Sequence, residues 1–486
     1  MRPSHIAGPD TRRVGGIRRA SAAQQKPVLD IEIERHFTSK VYTSGSAISG
    51  QAIVRTLQDT PFDSFDIIFA GVATTRLGSV QQYTSHSIHR FMKLCMPILQ
   101  SSLPENKVFE AGKVYSIPFN FVVPHQLTLG ACNHRCSNPA VREQHLRPPP
   151  TVGFWEADDQ APEMARIAYS IKARVYSRRE AGCPLEGCHM VKVLPACPED
   201  APLDITIRDE RYRLTKSKTI RKNLFTKAGK LTATASQPAA VMLGGDGHTA
   251  STTIVRVSLE FAPVSAVMAP PKINSISGKI AAVTFFSAAP ADLLPNMGSR
   301  SVFTANPALS YTTTSPLFSN SVDRVAWQQH NFSGQRDSGY SSLRAGEDVH
   351  ETEYPESRGC IGGNGKGSKK CPIRHSAVLE VPFSIPTSSR RLYLPTFYSC
   401  LISRTYTLRL NLSVGPTNTA MSLAIPLQIG VKAVHQPLFG PHQFSFDSPR
   451  VEFEEADVNA HVQPLRVLQI PEMGGQSNSL LPGYWG

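Results

Sequence analysis

Residues 167–175 read Ile-Ala-Tyr-Ser-Ile-Lys-Ala-Arg-Val, and residues 406–414 read Tyr-Thr-Leu-Arg-Leu-Asn-Leu-Ser-Val. In the first, Ile167, Tyr169, Ile171, Ala173 and Val175 are apolar while Ser170, Lys172 and Arg174 separate them. In the second, Tyr406, Leu408, Leu410, Leu412 and Val414 alternate with Thr407, Arg409, Asn411 and Ser413, and Thr405 precedes them. A period of two places one set of side chains in a core and the other in water. That pattern suits antiparallel sheets, which leave one face wet. A third stretch behaves alike: Tyr115, Ile117, Phe119, Phe121 and Val123 are divided by Ser116, Pro118 and Asn120.

Working outward, these strands belong to a series that occurs twice in the same order. Ile48-Ser-Gly-Gln, Pro118-Phe-Asn-Phe and Tyr169-Ser-Ile-Lys are followed by Ile276-Ser-Gly-Lys, Pro382-Phe-Ser-Ile and Tyr406-Thr-Leu-Arg. A strand precedes each pass, with Leu29 and Val257 separated by 228 positions, as are Ile48 and Ile276. A period this long implies two copies of one domain, not a solenoid repeat. With 38 Pro and 33 Gly in 486 residues, long amphipathic helices are interrupted throughout. The expected fold is all-β, with two antiparallel β-sandwiches in tandem.

The length accommodates both cores. A basic leader spans 1–26, the first sandwich 27–198 and the second 199–434, and a tail occupies 435–486. Within the second, 201–247 reads as a polar, basic insertion with two strands. The Gly/Ser-rich stretch 331–372 has too little apolar surface to fold, and is expected to be disordered together with both termini. The longest apolar run, near Ile280 to Ala289, is broken by Ser287 and closed by Pro290, far short of a membrane span. The leader has arginines but no apolar segment of the secretory kind.

The chain carries a net charge of +13. Lys216, Lys218, Arg221, Lys222, Lys227 and Lys230 fall within one acid-free stretch, a candidate site for an anionic surface such as lipid headgroups. Aromatic interleaving there is confined to Tyr212 and Phe225, too sparse for single-stranded nucleic acid, so no nucleic acid is expected. Of nine cysteines, Cys132-Asn-His134-Arg-Cys136 is the densest group, with Cys183, Cys188 and His189 downstream. Four such ligands could make a tetrahedral zinc site. Their spacing matches no standard finger, and they read as reduced loop cysteines, with no metal or cofactor expected.

Gly362-Gly-Asn-Gly-Lys-Gly-Ser fails the phosphate-loop pattern because Gly367 follows Lys366. Nothing in the sequence forms a catalytic constellation, so the expectation is a protein that is not an enzyme. Leu481-Pro482-Gly483-Tyr484 has the spacing that WW domains grip, a proline on an aromatic pair and a tyrosine two positions later. Arg18-Arg19-Ala20-Ser21 is a basophilic-kinase consensus, making Ser21 the candidate phosphorylation site.

The chain resembles the arrestin superfamily, and specifically the fungal arrestin-related trafficking adaptors, the alpha-arrestin-like group. The residues concerned are Tyr42-Thr-Ser-Gly-Ser-Ala-Ile-Ser-Gly-Gln, the Tyr115–Pro124 strand, Met164 to Val175 and Leu394 to Leu408. The resemblance implies two arrestin-like sandwiches and a non-catalytic adaptor that links membrane transporters or receptors to a HECT-type ubiquitin ligase. It further implies cytoplasmic localisation with peripheral recruitment to plasma membrane or endosomes. One departure stands out. Where visual and β-arrestins place a phosphate-sensing arginine, this chain reads His189-Met-Val-Lys-Val-Leu, with Lys192 as its sole cation. Two alternatives remain: a ligase-independent, receptor-associated signalling scaffold, and a basic protein that binds lipid or nucleic acid directly.

Overall fold

The structure is a computed structural model that describes residues 28–78, 84–177, 182–223, 225–298, 309–331, 373–388 and 390–433. Its first sandwich is built from β1 (Val28–Ile33), β2 (Val41–Tyr42), β3 (Ala47–Arg55), β4 (Thr60–Pro61), β5 (Ser64–Gly78), β6 (Thr84–Cys95), β7 (Val108–Phe109), β8 (Val114–Val122), β9 (Ala165–Ser177) and β10 (Gly182–Val193). One sheet has the order β1-β3-β8, and the facing sheet runs β2-β10-β9-β5-β6. The alternation read from the sequence sets which residues enter the core. Ile167, Tyr169, Ile171, Ala173 and Val175 are all buried, packed with Ile48, Val54, Ile117 and Phe119 from the opposite sheet. A short helix α1 (Pro139–His145) lies between β8 and β9, started by the Asn138 side chain, which accepts a hydrogen bond from Val141 N at 3.0 Å.

The second sandwich uses β11 (Thr215–Arg221), β12 (Lys227–Ala235), β13 (Val241–Leu243), β14 (Thr253–Pro263), β15 (Ile273–Phe286), β16 (Leu309–Ser321), β17 (Gln328–Asn331), β18 (Ile373–Phe383), β19 (Phe397–Tyr398), β20 (Ile402–Val414), β21 (Thr419–Leu427) and β22 (Ile429–Val431). One sheet runs β11-β12-β14-β18-β17. The other runs β16-β15-β20-β19, with β21 also paired to β20. Segment 201–247 is therefore not an appendage: β11 and β12 extend a main sheet, and β13 pairs with β22.

The two sandwiches share one plan of pairing. In the first, β3 lies between β1 and β8, while β5 pairs with β6 and β9, and β9 with β10. In the second, β14 lies between β12 and β18, while β15 pairs with β16 and β20, and β20 with β21. Each also has a parallel pair of strands, β2 with β10 and β13 with β22. Tyr169 and Tyr406, on the matching strands β9 and β20, each donate a buried hydrogen bond of 2.7 Å to a backbone carbonyl, of Pro149 and Leu394 respectively.

This plan revises part of the repeat read from the sequence. Pro118 with Pro382, and Tyr169 with Tyr406, do fall on matching strands. Ile48 lies on β3 and Ile276 on β15, which is instead the counterpart of β5; Leu29 and Val257 are likewise on non-matching strands. The shared Ile-Ser-Gly has a local cause. A Cβ at Gly50 would meet the Phe119 ring and the Glu32 carbonyl, and one at Gly278 would meet the Phe318 ring. In both strands glycine leaves room for an aromatic side chain from a neighbouring strand.

Where the sandwiches meet, alternation fails. Every residue from Ile402 to Thr407 is buried, including Thr405 and Thr407, which a period of two places in water. Hydrogen bonds join the two sandwiches at several points. Thr75 Oγ1 donates to Ser287 O at 2.8 Å, Leu392 N to Asp158 O at 2.9 Å, and Val431 N to Cys197 O at 2.8 Å. Among the described residues no helix is long and apolar enough to cross a membrane.

Candidate functional sites

The basic stretch forms the β11–β12 hairpin at one edge of the second sandwich. Pairing distributes its charges over two faces. Lys218 is opposite Leu231 and Lys216 opposite Ala233, on the side that turns Ile220 inward; Lys230 is opposite Thr219, on the other side. The six cations therefore do not form one plane. Exposed Lys222 and Lys227 do share the hairpin tip with Phe225, which is itself 91% exposed. The Asn223 side chain shapes this tip by accepting from the backbone N–H groups of Phe225 and Thr226 at 3.2 and 2.7 Å.

A second site lies between the sandwiches. Arg404, on β20, is completely buried. Its Nε donates to Thr284 Oγ1 at 3.0 Å and its Nη1 to Asp159 O at 2.9 Å, joining the second sandwich to a loop of the first. Nη2 is buried without a hydrogen-bond partner. The Asp159 carboxylate is turned to its own loop, accepting from Gly153 N at 2.6 Å and Ala161 N at 3.0 Å. Beside it, the Gln160 amide donates to Leu392 O at 3.2 Å and accepts from Thr313 Oγ1 at 2.8 Å. Lys192, the cation noted in the sequence, is elsewhere: its ammonium donates to Thr38 O at 2.7 Å and pairs with Glu156. The hydrogen bond from Lys192 to Glu156 holds that carboxyl below its ordinary pKa.

The third site gathers cysteine and histidine. Cys132 and His134 follow a 3₁₀ turn at Leu129–Ala131, and His145 closes α1. Cys400 arrives from the turn between β19 and β20 of the other sandwich. Nitrogen and sulfur atoms of Cys132, His134, His145 and Cys400 all lie within 4.8 Å of one another. Cys132 Sγ is 3.2 Å from His134 Nε2, 3.6 Å from His145 Nδ1 and 3.7 Å from Cys136 Sγ. Burial, with the neighbouring His134 and His89, pushes the His145 imidazole down to about 4. Burial, then the hydrogen bond and charge of Cys132, pushes the Cys136 thiol up to about 11 and Cys400 up as well.

Of the cysteines singled out in the sequence, Cys132 and Cys136 meet here. Cys188 is exposed on β10, with His189 edge-on to His36 at 4.9 Å; the Cys183 side chain lies outside the described residues. Cys400 carries no signal in the sequence because no other ligand is near it along the chain, and His145, nine residues beyond Cys136, joins the group only through the folding of α1. A cleft of about 270 Å³ adjoins this region, lined by α1 residues, Arg147, Asp200 and Thr405. On its wall Arg147 pairs with Asp200 at 2.8 Å. Leu481, Pro482, Tyr484 and Ser21 lie outside the described residues. The chain matches no protein-family model, and no curated protein gives a significant match.

Proposed function

We propose that this chain is an arrestin-like adaptor that presents a membrane transporter or receptor to a HECT-type ubiquitin ligase for ubiquitylation and endocytosis. The observation that carries the reading is the repeated pairing plan: two sandwiches of one topology, bonded to each other through buried backbone and side-chain contacts. A fold does not assign a function by itself. The Leu481-Pro-Gly-Tyr sequence supplies the second element, a segment with the spacing a ligase WW domain binds. Cargo would engage the folded unit while the tail recruits the ligase. Affinity capture with the intact chain tests this. Recovery of a HECT ligase together with a membrane protein is expected; a membrane receptor recovered with no ligase would favour the signalling scaffold.

The hairpin tip supports peripheral recruitment. Lys222 and Lys227 flank an exposed aromatic ring, so both charges can face headgroups while Phe225 enters the interface. Each cation near an anionic surface contributes about 1 kcal/mol. Replacing Lys222 and Lys227 by glutamine should therefore weaken binding to phosphatidylserine vesicles by about 2 kcal/mol, roughly thirtyfold. Adding Phe225→Ala should weaken it further. Wild-type binding should fall as salt is raised. Vesicle co-sedimentation measures both effects. Equal binding by wild type and the double variant would remove the tip from this role, and stronger wild-type binding to RNA than to vesicles would favour the nucleic-acid alternative.

A further inference from the structure

We propose that Cys132, His134, His145 and Cys400 form a structural zinc site that ties the two sandwiches together. This inference does not depend on the adaptor reading. A tetrahedral zinc ion with bonds of about 2.3 Å to sulfur and 2.0–2.1 Å to nitrogen has sulfur–nitrogen edges of about 3.6 Å and nitrogen–nitrogen edges of about 3.3 Å. The sulfur–nitrogen separations from Cys132 to His134 and His145, 3.2 and 3.6 Å, are close to such edges. All four ligand atoms lie within 4.8 Å of one another, so the longest separations would shorten by about 1 Å as the ion is bound. Two cysteines and two histidines suit zinc, which is content with mixed sulfur and nitrogen donors in this geometry.

The histidine environment suits a metal. His134 Nδ1 lies 3.0 Å from Arg135 O, and a carbonyl only accepts, so Nδ1 carries the proton. Nε2 is then left with its lone pair directed at Cys132. A backbone carbonyl holding the far ring nitrogen is the usual support of a zinc-bound imidazole. Two thiolates would balance the charge of the ion, which allows it to be buried. Their two protons would be released to solvent on binding.

Four protein ligands leave no open position, which makes the site structural, not catalytic. Its location gives the consequence. Three ligands come from the loop and helix of the first sandwich, while Cys400 belongs to the second, 268 residues beyond Cys132. One neighbouring backbone bond crosses at the same point, Ser137 N donating to Asp292 O at 2.9 Å, and the segment it reaches is tied to the cysteine within the second sandwich by Ala291 N donating to Cys400 O at 2.8 Å. One ion there would fix the orientation of the two sandwiches. Cys136, with its sulfur 3.7 Å from that of Cys132, is a reserve thiol in this assignment.

The test is metal analysis of the purified full chain after exhaustive dialysis, with zinc alone or cobalt alone as the added probe. One zinc per chain is expected. Cobalt substitution should give the intense visible bands of a tetrahedral ion and a thiolate-to-cobalt charge-transfer band. Cys132→Ser, His145→Ala and Cys400→Ser should each reduce stoichiometry from one towards zero, while Cys136→Ser and Cys188→Ser should retain it. Should a ligand variant fail to fold, the cobalt spectrum of the wild-type chain still decides. Wild-type protein that is folded but binds neither metal would overturn the proposal. So would a Cys132–Cys136 disulfide in place of metal, or full zinc retention by folded Cys400→Ser. Loss of zinc by Cys136→Ser with retention by His134→Ala would overturn this choice of ligands.

Discussion

Arg404→Ala is expected to destabilise the folded chain by about 3 kcal/mol, read as a lower midpoint of urea unfolding at unchanged slope. Three effects combine. Truncation leaves a cavity where a large, fully buried side chain stood. It strands the Asp159 carbonyl and removes the partner of the Thr284 hydroxyl, and a buried polar group without a partner costs about 1–3 kcal/mol. Against these stands relief from burying a cation with no carboxylate within ion-pair distance among the described residues. The first two outweigh the third because the guanidinium already donates two hydrogen bonds. Arg404→Met separates the contributions, since it fills most of the space and removes the charge. It should cost less than Arg404→Ala. A midpoint for Arg404→Ala within about 0.5 kcal/mol of wild type would show that Arg404 does not hold the sandwiches together.

How far the sequence reveals this architecture depends on which contacts dictate each residue. Ile167 to Val175 are legible because the facing sheet buries one side of β9, and alternation follows from that alone. Ile402 to Thr407 are not, because both sides of this part of β20 are buried. Arg404 is hidden for the same reason: a lone basic residue next to an alternating strand looks like an exposed one. The repeated Ile-Ser-Gly signals room for an aromatic neighbour, which imitates a shared strand position. The metal site divides along the same line. Cys132, His134 and Cys136 are local and visible as a cluster, whereas His145 requires α1 and Cys400 requires the docking of two domains. The hairpin at 215–235 shows the converse. Its charges are plain in the sequence, but their division between two faces follows only from the pairing of Lys218 with Leu231 and of Lys230 with Thr219.

Tyr484→Ala is expected to abolish capture of the chain by the WW domains of a HECT ligase. A WW groove reads an extended polyproline segment at a few points: one proline ring stacked between aromatic side chains and one tyrosine two residues on. Removing the tyrosine empties one of only two pockets, and a short motif has no other anchor to compensate. Pro482→Ala should act on both binding and conformation, since the ring that stacks is also the ring that presets the extended backbone. The sequence after Glu472 is rich in Gly and Ser, so neither substitution falls in a segment expected to pack. Both variants should match the wild-type chain in unfolding midpoint, which separates lost binding from lost fold. A single motif of four residues buries little surface, so its affinity should be modest and should rise when tandem WW domains meet a second site on the same chain. Titration of a peptide covering residues 474–486 into isolated WW domains measures the intrinsic affinity, and capture by the tandem domains measures the gain. No saturable binding by the wild-type peptide, or equal binding by the Tyr484→Ala peptide, would mark Leu481 to Tyr484 as a chance match. A ligase recovered with the intact chain in spite of that would have to be held by the folded sandwiches themselves.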